Sequence, residues 1–268
     1  MRFVGAGHGL FAIAAAALAV LSLVYGEFAL IWADLPSWFP WRDVWVYGSA
    51  LLVLAASAGA CLERTAPASV LVIGGYLAAW LATRAGLFLV KPVSIGAWYG
   101  VCEALTPLLG ASVLYATLRP HAGMPATPAI MGARALRVAQ VLFGLDCVVY
   151  GVAHFAYAGY TASMVPAWLP GPLGIAYLTG LAHAAAGLAL VVGIVPRLAA
   201  TLEAIMMSLF GVLVWVPTLF ARSVPEWAGT PKNRWSEFVV TLLLAASAWI
   251  VAAALGGGSL GSASRSRS

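Results

Sequence analysis

The feature that most constrains this chain is a series of eight apolar stretches, each long enough to cross a bilayer. A bilayer core of about 30 Å needs roughly 20 residues of helix, because a lone segment must satisfy its own backbone hydrogen bonds in lipid. Charged residues make up only 9% of the chain, against roughly 25% in soluble domains. The sequence therefore predicts an all-α, polytopic membrane protein. Its predicted spans are 9–32, 44–62, 68–90, 96–118, 134–157, 172–194, 197–221 and 235–255.

A motif of the form Pro-x-Trp-(Phe/Leu)-Pro occurs twice, at 36–40 and 166–170. The same offset of 130 residues brings Tyr47 onto Tyr177, which indicates an internal duplication. We expect two repeated four-helix bundles, at 1–118 and 134–255, joined by a Pro- and Gly-rich linker at 119–133 and followed by a flexible tail at 256–268. Each motif is interpreted as an interfacial anchor or, alternatively, as a lid that stacks on a ring-shaped ligand.

The distribution of basic residues predicts that both termini lie in the cytoplasm. If the first stretch spans the membrane, eight basic residues lie on the side of the N-terminus and five on the opposite side. That stretch is longer than the apolar region of a signal peptide, so we interpret it as a helix of the mature fold.

The three cysteines lack a CxxC spacing and are interpreted as packing residues. No basic cluster alternates with aromatic residues, so we expect no nucleic-acid partner.

Ionisable side chains within a bilayer cost at least about 2.5 kcal/mol, so each is a candidate functional residue. In the fifth stretch, Asp146, Tyr150, His154 and Tyr157 fall on one helical stripe. The helical rise places Asp146 about 18 Å deep and His183, in the sixth stretch, about 17 Å deep. We therefore expect these two to pair. The pair either orients the imidazole toward a ligand such as a quinone or only fixes helix packing.

Two further predictions concern the outer half of the membrane. His154 is expected only about 6 Å deep, and this difference of about 11 Å from His183 opposes a bis-histidine haem. Glu237, just inside the eighth stretch, is expected to join His154 at the mouth of a cavity below Trp168.

We also expect Gly180, Ala184 and Gly187 to form a face for close helix packing.

Three charged groups in the other stretches are interpreted as structural or are given no role. Arg84 and Glu103 lie at similar distances from the turn between the third and fourth stretches. We expect them to form a buried pair that specifies helix packing. Glu203, in the seventh stretch, has no obvious partner except Arg197, and we assign it no role.

The second half resembles the DoxX family of bacterial membrane proteins. The matching segments are 151–155 (GVAHF), 165–170 (VPAWLP) and 177–187. This resemblance implies a four-helix unit, a bacterial inner membrane and, for some relatives, a quinone-linked role beside sulfur-compound oxidation or the assembly of redox partners. The residues of this chain that match the family's motif positions are His154, Trp168 and His183, although family members often have a carboxylate near the last position. Eight spans instead of four also depart from the family pattern, and Val53 stands where the first half would need a counterpart of His183.

Two functions follow, and a third is weaker. The first is a quinone-interacting subunit of a membrane redox system, with electrons supplied by a small substrate or a partner subunit. Its catalytic residues would be Asp146, His154, His183 and Glu237, and its quinone would contact Trp168, Tyr150 and His183. The second is a non-enzymatic membrane scaffold or assembly protein, although the short loops offer little docking surface. A solute transporter is suggested by the duplication alone.

Overall fold

A computed structural model describes residues 5–28, 38–90, 94–123 and 129–256, and within these ranges the chain is helical and contains no strand. Parts of the first Pro-Trp motif (36–37), the predicted linker (124–128) and the predicted tail (257–268) lie outside the described residues. The described α-helices are α1 (Ala6–Tyr25), α2 (Arg42–Ala60), α3 (Ala66–Val90), α4 (Ile95–His121), α5 (Ala129–Ala156), α6 (Ala158–Met164), α7 (Pro172–Val192), α8 (Pro196–Phe210), α9 (Val216–Phe220) and α10 (Pro231–Gly256). A π-helical segment, Gly211–Trp215, joins α8 to α9.

Eight spans long and apolar enough to cross a membrane are present among the described residues, which confirms the all-α, polytopic fold. The seventh span consists of α8, the π-helical segment and α9. Several boundaries differ from those predicted. Helix α1 ends at Tyr25, where Gly26 takes a left-handed conformation with φ 62°. Helices α4 and α5 extend to His121 and from Ala129, so they take in much of the predicted linker.

Successive spans run antiparallel, which defines two faces of the bundle. One face, which we call the terminal face, carries the start of α1 and the end of α10; here His8 Nε2 lies 2.8 Å from the carbonyl oxygen of Ala60. The opposite face, which we call the Pro-Trp face, carries the segment 165–171 and the start of α10. There Lys232 Nζ donates to Glu27 Oε2 and links the two halves. The assignment of either face to the cytoplasm remains a prediction.

The helices pair in the same order in both halves. In the first half α1 packs on α2, α2 on α3 and α3 on α4; in the second, α5 packs on α7, α7 on α8 and α8 on α10. Each half's last helix also packs on the other half's first helix, α4 on α5 and α10 on α1. Helices α4 and α10 pack on each other at the centre. The predicted domain boundaries remain predictions, but the two bundles share an extensive interface.

Small residues hold α5 and α7 close together, as predicted for the face of Gly180, Ala184 and Gly187. A Cβ added at Gly187 would lie 2.5 Å from the Gly144 carbonyl oxygen, and one at Gly151 would lie 2.7 Å from the Gly180 carbonyl oxygen. The two backbones therefore touch along much of their length. This contact fixes the register of α5 against α7 and thereby positions the side chains that the two helices present to their neighbours.

Candidate functional site

A cavity of about 550 Å³ lies between α4, α5, α7, α8 and α10, in the half of the membrane toward the Pro-Trp face. Helix α6 and the segment 165–169 contribute to its lining on that face. Its aromatic and hydroxyl groups are Tyr99, Tyr150, Tyr157, Tyr160, Phe210, Trp215, Thr161, Thr179 and Thr241, and its ionisable groups are Glu103, His154, His183 and Glu237. Because α4 belongs to the first half, both halves of the chain build this cavity.

His183 is paired with Glu203, a residue to which the sequence assigned no role. The Nδ1 atom of His183 lies 2.9 Å from Oε2 of Glu203, and the two residues are 2% and 0% exposed. Glu203 projects from α8 toward α7, one turn behind the cavity wall, while His183 itself lines the cavity. The partner that orients this imidazole is therefore Glu203 and not Asp146.

The predicted pairing of Asp146 with His183 is wrong, because Asp146 faces α4. Thr106 donates to Asp146 Oδ2 at 2.7 Å, and the Tyr150 hydroxyl lies 3.0 Å from Thr106 Oγ1. Since the Thr106 hydrogen goes to the carboxyl group, Tyr150 donates to Thr106. Residues four apart on a helix are offset by about 40°, so the stripe from Asp146 to His154 drifts by about 80°. Asp146 thus turns toward α4 while His154 turns toward α7, and Asp146 lies behind the cavity wall.

The predicted depth difference between His154 and His183 is also wrong. Their ring centroids are 5.0 Å apart in an edge-to-face arrangement. The prediction assumed that α5 and α7 end level at the Pro-Trp face, whereas the register is set by their glycine contacts, which place His154 beside Gly180. This direct ring contact leaves no space for a porphyrin between the two imidazoles.

A hydroxyl group orients His154. Its Nδ1 atom lies 2.9 Å from Thr179 Oγ1, and the Thr179 hydroxyl donates to the carbonyl oxygens of Ile175 and Ala176 on its own helix. Because the Thr179 hydrogen is committed to α7, its oxygen accepts from Nδ1–H of His154. The His154 ring also stacks on Phe210, with a centroid distance of 5.9 Å and an interplanar angle of 24°. Its Nε2 atom is left as the basic nitrogen of a cavity-lining ring.

The other predicted site residues divide between the cavity and its surroundings. Tyr150 and Glu237 line the cavity as expected, and Tyr150 packs edge-to-face on the His183 ring with a centroid distance of 5.8 Å. Trp168 is 70% exposed and lies outside the lining, so it does not cover a ligand there. Tyr160, on α6 outside the spans, has a pKa raised by partial burial and then by the Glu237 carboxylate. Its hydroxyl therefore stays protonated beside the cavity.

The structure brings Arg84 and Glu103 together, as predicted, and it also places Glu103 on the cavity. Arg84 acts electrostatically on Glu103, and its guanidinium packs over Gly100, 3.5 Å from where a Cβ would stand. Glu103, which also bonds to Tyr99, lines the cavity. This carboxyl group therefore belongs to the site as well as to the hairpin of α3 and α4.

Sequence reasoning missed the contributions of Glu203 and of the π-helical segment. A signal for Glu203 existed, since a carboxylate within an apolar span requires a partner. The π-helical segment places Leu213, Val214 and Trp215 on the cavity, and such local widening of a helix is frequent at functional sites. No sequence pattern that we recognise marks it.

Metal binding has no candidate ligand set among the described residues, which contain no group of three or more His, Cys, Asp or Glu side chains suited to one ion. In comparisons with protein families, curated proteins and solved structures, no match to this chain was found. The resemblance to the DoxX family accordingly remains a prediction based on the sequence segments given above.

Proposed function

We propose that this integral membrane protein binds a quinone in the cavity between its two halves, as a subunit of a membrane redox system. The observation that carries the proposal is a cavity of about 550 Å³ within the spans, lined by aromatic rings and ionisable groups. This volume is within the range of about 300–1,000 Å³ typical of small-molecule sites. A flat, lipid-soluble ring with two polar oxygens matches such a lining, because it offers both a stacking face and hydrogen-bond acceptors.

The aromatic side chains provide surfaces for the ring. Tyr99 and Tyr150 contact edge-to-face with a centroid distance of 5.5 Å, and Phe210 packs against both imidazoles at 5.8–5.9 Å. Offset and edge-to-face aromatic contacts contribute about 0.5–1.5 kcal/mol each beyond buried area. A quinone ring bound between these groups would make aromatic contacts of the same kind, with water excluded from the cavity.

The ionisable groups provide protons and hydrogen bonds for the quinone oxygens. His183, held by Glu203, is the donor that we assign to one carbonyl oxygen, and His154 with Glu237 would exchange protons toward the Pro-Trp face. Reduction of a quinone to a quinol consumes two electrons and two protons, so a site for it needs proton-holding side chains nearby. Electrons would enter from a small substrate or a partner subunit. Asp146 is not part of this machinery, because it bonds to Thr106 behind the wall.

We also propose that both termini lie in the cytoplasm and that the membrane is a bacterial inner membrane. The charge distribution supports the first of these and the family resemblance supports the second. A membrane scaffold or assembly protein is the alternative function, and the test below distinguishes it. For that function the cavity would carry no ligand, and the protein would instead be recovered with a partner complex.

The proposal is tested by extracting quinone from the purified protein and by titrating the quinone-free protein with a short-chain quinone. We expect near-stoichiometric quinone in the wild type and a loss of affinity of about tenfold in His183→Leu, the size expected when a buried hydrogen bond to a ligand is removed. Leu181→Ala is the matched control, because Leu181 lies on the same helix, is 59% exposed and does not line the cavity. A folded wild type that neither contains nor binds quinone would refute the proposal.

A further inference from the structure

Glu203 separates two voids in the second half of the protein. On one side its Oε2 atom meets His183, which lines the cavity. On the other side Glu203 lines a groove of about 310 Å³ between α7 and α8, toward the terminal face. The groove is otherwise apolar, with alanine, leucine, valine and methionine side chains as its walls. His183 and Glu203 together therefore connect the cavity to this groove.

The groove opens on the outer surface of the bundle, where the spans meet lipid. Its wall residues Ala182, Ala185, Leu198 and Leu202 are exposed, and Leu198 and Leu202 are 55% and 54% exposed. Glu203 at its base is fully buried. A small apolar molecule dissolved in the bilayer can therefore enter the groove that Glu203 lines without crossing the cavity.

The surroundings of Glu203 give its carboxyl group one hydrogen-bond partner, His183, among the described residues. The Oε2 atom of Glu203 lies 2.9 Å from Nδ1 of His183, and the Oε1 atom is buried and has no hydrogen-bond partner among these residues. A change at this carboxyl group therefore acts directly on the imidazole that lines the cavity.

The other titratable groups near the pair come from three helices. Helix α5 contributes Cys147, Tyr150 and His154; Tyr150 and His154 contact the His183 ring, and Cys147 interacts electrostatically with Glu203. Helices α4 and α10 contribute Glu103 and Glu237 across the cavity. Apart from the imidazoles, these neighbours are thiol, phenol and carboxyl groups, none of which carries a positive charge.

We propose that the Glu203 carboxyl group is reached from the lipid through the groove between α7 and α8, and that its bond to His183 transmits chemical modification of this carboxyl group to the cavity. This goes beyond quinone binding and does not depend on which ligand occupies the cavity. It assigns a modification site for apolar reagents that react with protonated carboxyl groups, and a path by which the groove influences the imidazole that faces the ligand.

The first test is labelling with dicyclohexylcarbodiimide in proteoliposomes, followed by peptide mass spectrometry. The protonated carboxyl group adds its O–H across one C=N bond, and the acyl group then migrates to nitrogen, so the adduct gains one whole reagent molecule and nothing leaves. We expect labelling at Glu203 and none at that position in Glu203→Gln. Ala182→Leu and Ala185→Leu fill the groove from exposed positions, so each should slow labelling roughly tenfold or more. Gly75→Leu, in the first half with nothing within 4 Å of its Cβ, is the control with unchanged labelling.

The second test reads the link to His183 by ¹⁵N NMR of histidine-labelled protein, with the His183 signals assigned from their loss in His183→Gln. Labelling of Glu203 replaces the carboxyl group that bonds to Nδ1 of His183, so the ¹⁵N signals of His183 should shift, whereas those of His8 should not. Labelling without a shift at His183 would contradict the transmission, and no adduct at Glu203, while another buried carboxyl group reacts, would contradict access from the groove. Neither readout uses a quinone, so failure of the quinone proposal leaves this test intact.

Discussion

At the scale of single residues, the buried polar groups of this protein bond to a different helix from the one that spacing along the chain indicated. Asp146 bonds to Thr106 on α4, and His183 bonds to Glu203 on α8. Each pair joins two spans, and each leaves a ring, Tyr150 or His183, on the cavity wall. Thr106, Asp146 and Glu203 therefore hold these rings in place from outside the cavity lining.

The bond between Thr106 and Asp146 gives a prediction for stability. Thr106→Val keeps the side-chain shape but removes the hydroxyl that donates to Asp146, so a buried carboxyl group loses a partner. We expect a loss of about 1–3 kcal/mol, which corresponds to a decrease in Tm of roughly 2–4 °C per kcal/mol for a chain of 150–250 residues. Thermal unfolding in detergent measures it.

The matched control for this variant is Ser112→Ala, on the same helix. Ser112 is exposed and its hydroxyl donates to the Leu108 carbonyl oxygen of its own helix, so its removal should change stability by no more than about 0.5 kcal/mol. Equal Tm values for Thr106→Val and Ser112→Ala would show that the bond to Asp146 contributes nothing measurable.

At the scale of helices, the second half depends on one very close pair and one interrupted span. The α5–α7 pair brings His154 and His183 into contact because glycine lets the backbones touch. The interruption in the seventh span, Gly211–Trp215, turns Trp215 toward the cavity, where it also packs on Trp227 with a centroid distance of 5.7 Å. Helix geometry, more than the identity of the polar residues, thus sets the shape of the site.

The close pair leads to a prediction for a glycine of α7. In Gly187→Leu the new side chain would start 2.5 Å from the Gly144 carbonyl oxygen, so α5 and α7 must separate. We expect a loss of about 3 kcal/mol or more, seen as aggregation or a large decrease in Tm during size-exclusion and thermal measurements. Gly174→Leu, also on α7 but with nothing within 4 Å of its Cβ, should behave like the wild type. Indistinguishable elution and Tm for the two variants would refute the proposed contact.

At the scale of the whole molecule, the two halves pack against each other through several helices and do not form separate bundles. Helices α4 and α10, the last helix of each half, pack on each other and each on the other half's first helix. The sequences of these two helices also match. Thr106, Leu108 and Ser112 of α4 recur with the same spacing as Thr241, Leu243 and Ser247 of α10. The cavity takes Tyr99 and Glu103 from α4, so the first half completes a site whose histidines lie in the second.

The contact between α4 and α10 predicts that stability and ligand binding change together. In Gly110→Leu the added side chain would start 2.5 Å from Ser247 Oγ and 2.9 Å from its Cα, so the two helices must move apart. We expect a lower Tm and a loss of bound quinone, because Tyr99 and Glu103 leave the cavity wall.

The control for this prediction is Gly48→Leu, at a helical glycine of α2 with nothing within 4 Å of its Cβ. It should retain wild-type Tm and quinone content, both measured on the same purified samples. Full quinone content in a folded Gly110→Leu variant would show that the first half is not needed for the site.

The sequence by itself determined the class of the protein and the close face of α7. Eight apolar stretches define spans because lipid offers no hydrogen-bond partners to the backbone, and small residues at helical spacing define a close contact. Hydropathy carries no information on which helices are neighbours, and an estimate of depth does not give the rotation of a helix about its axis. Only the tertiary structure therefore decided that Asp146 meets Thr106, that His183 meets Glu203, and that a helix from the first half closes the cavity of the second.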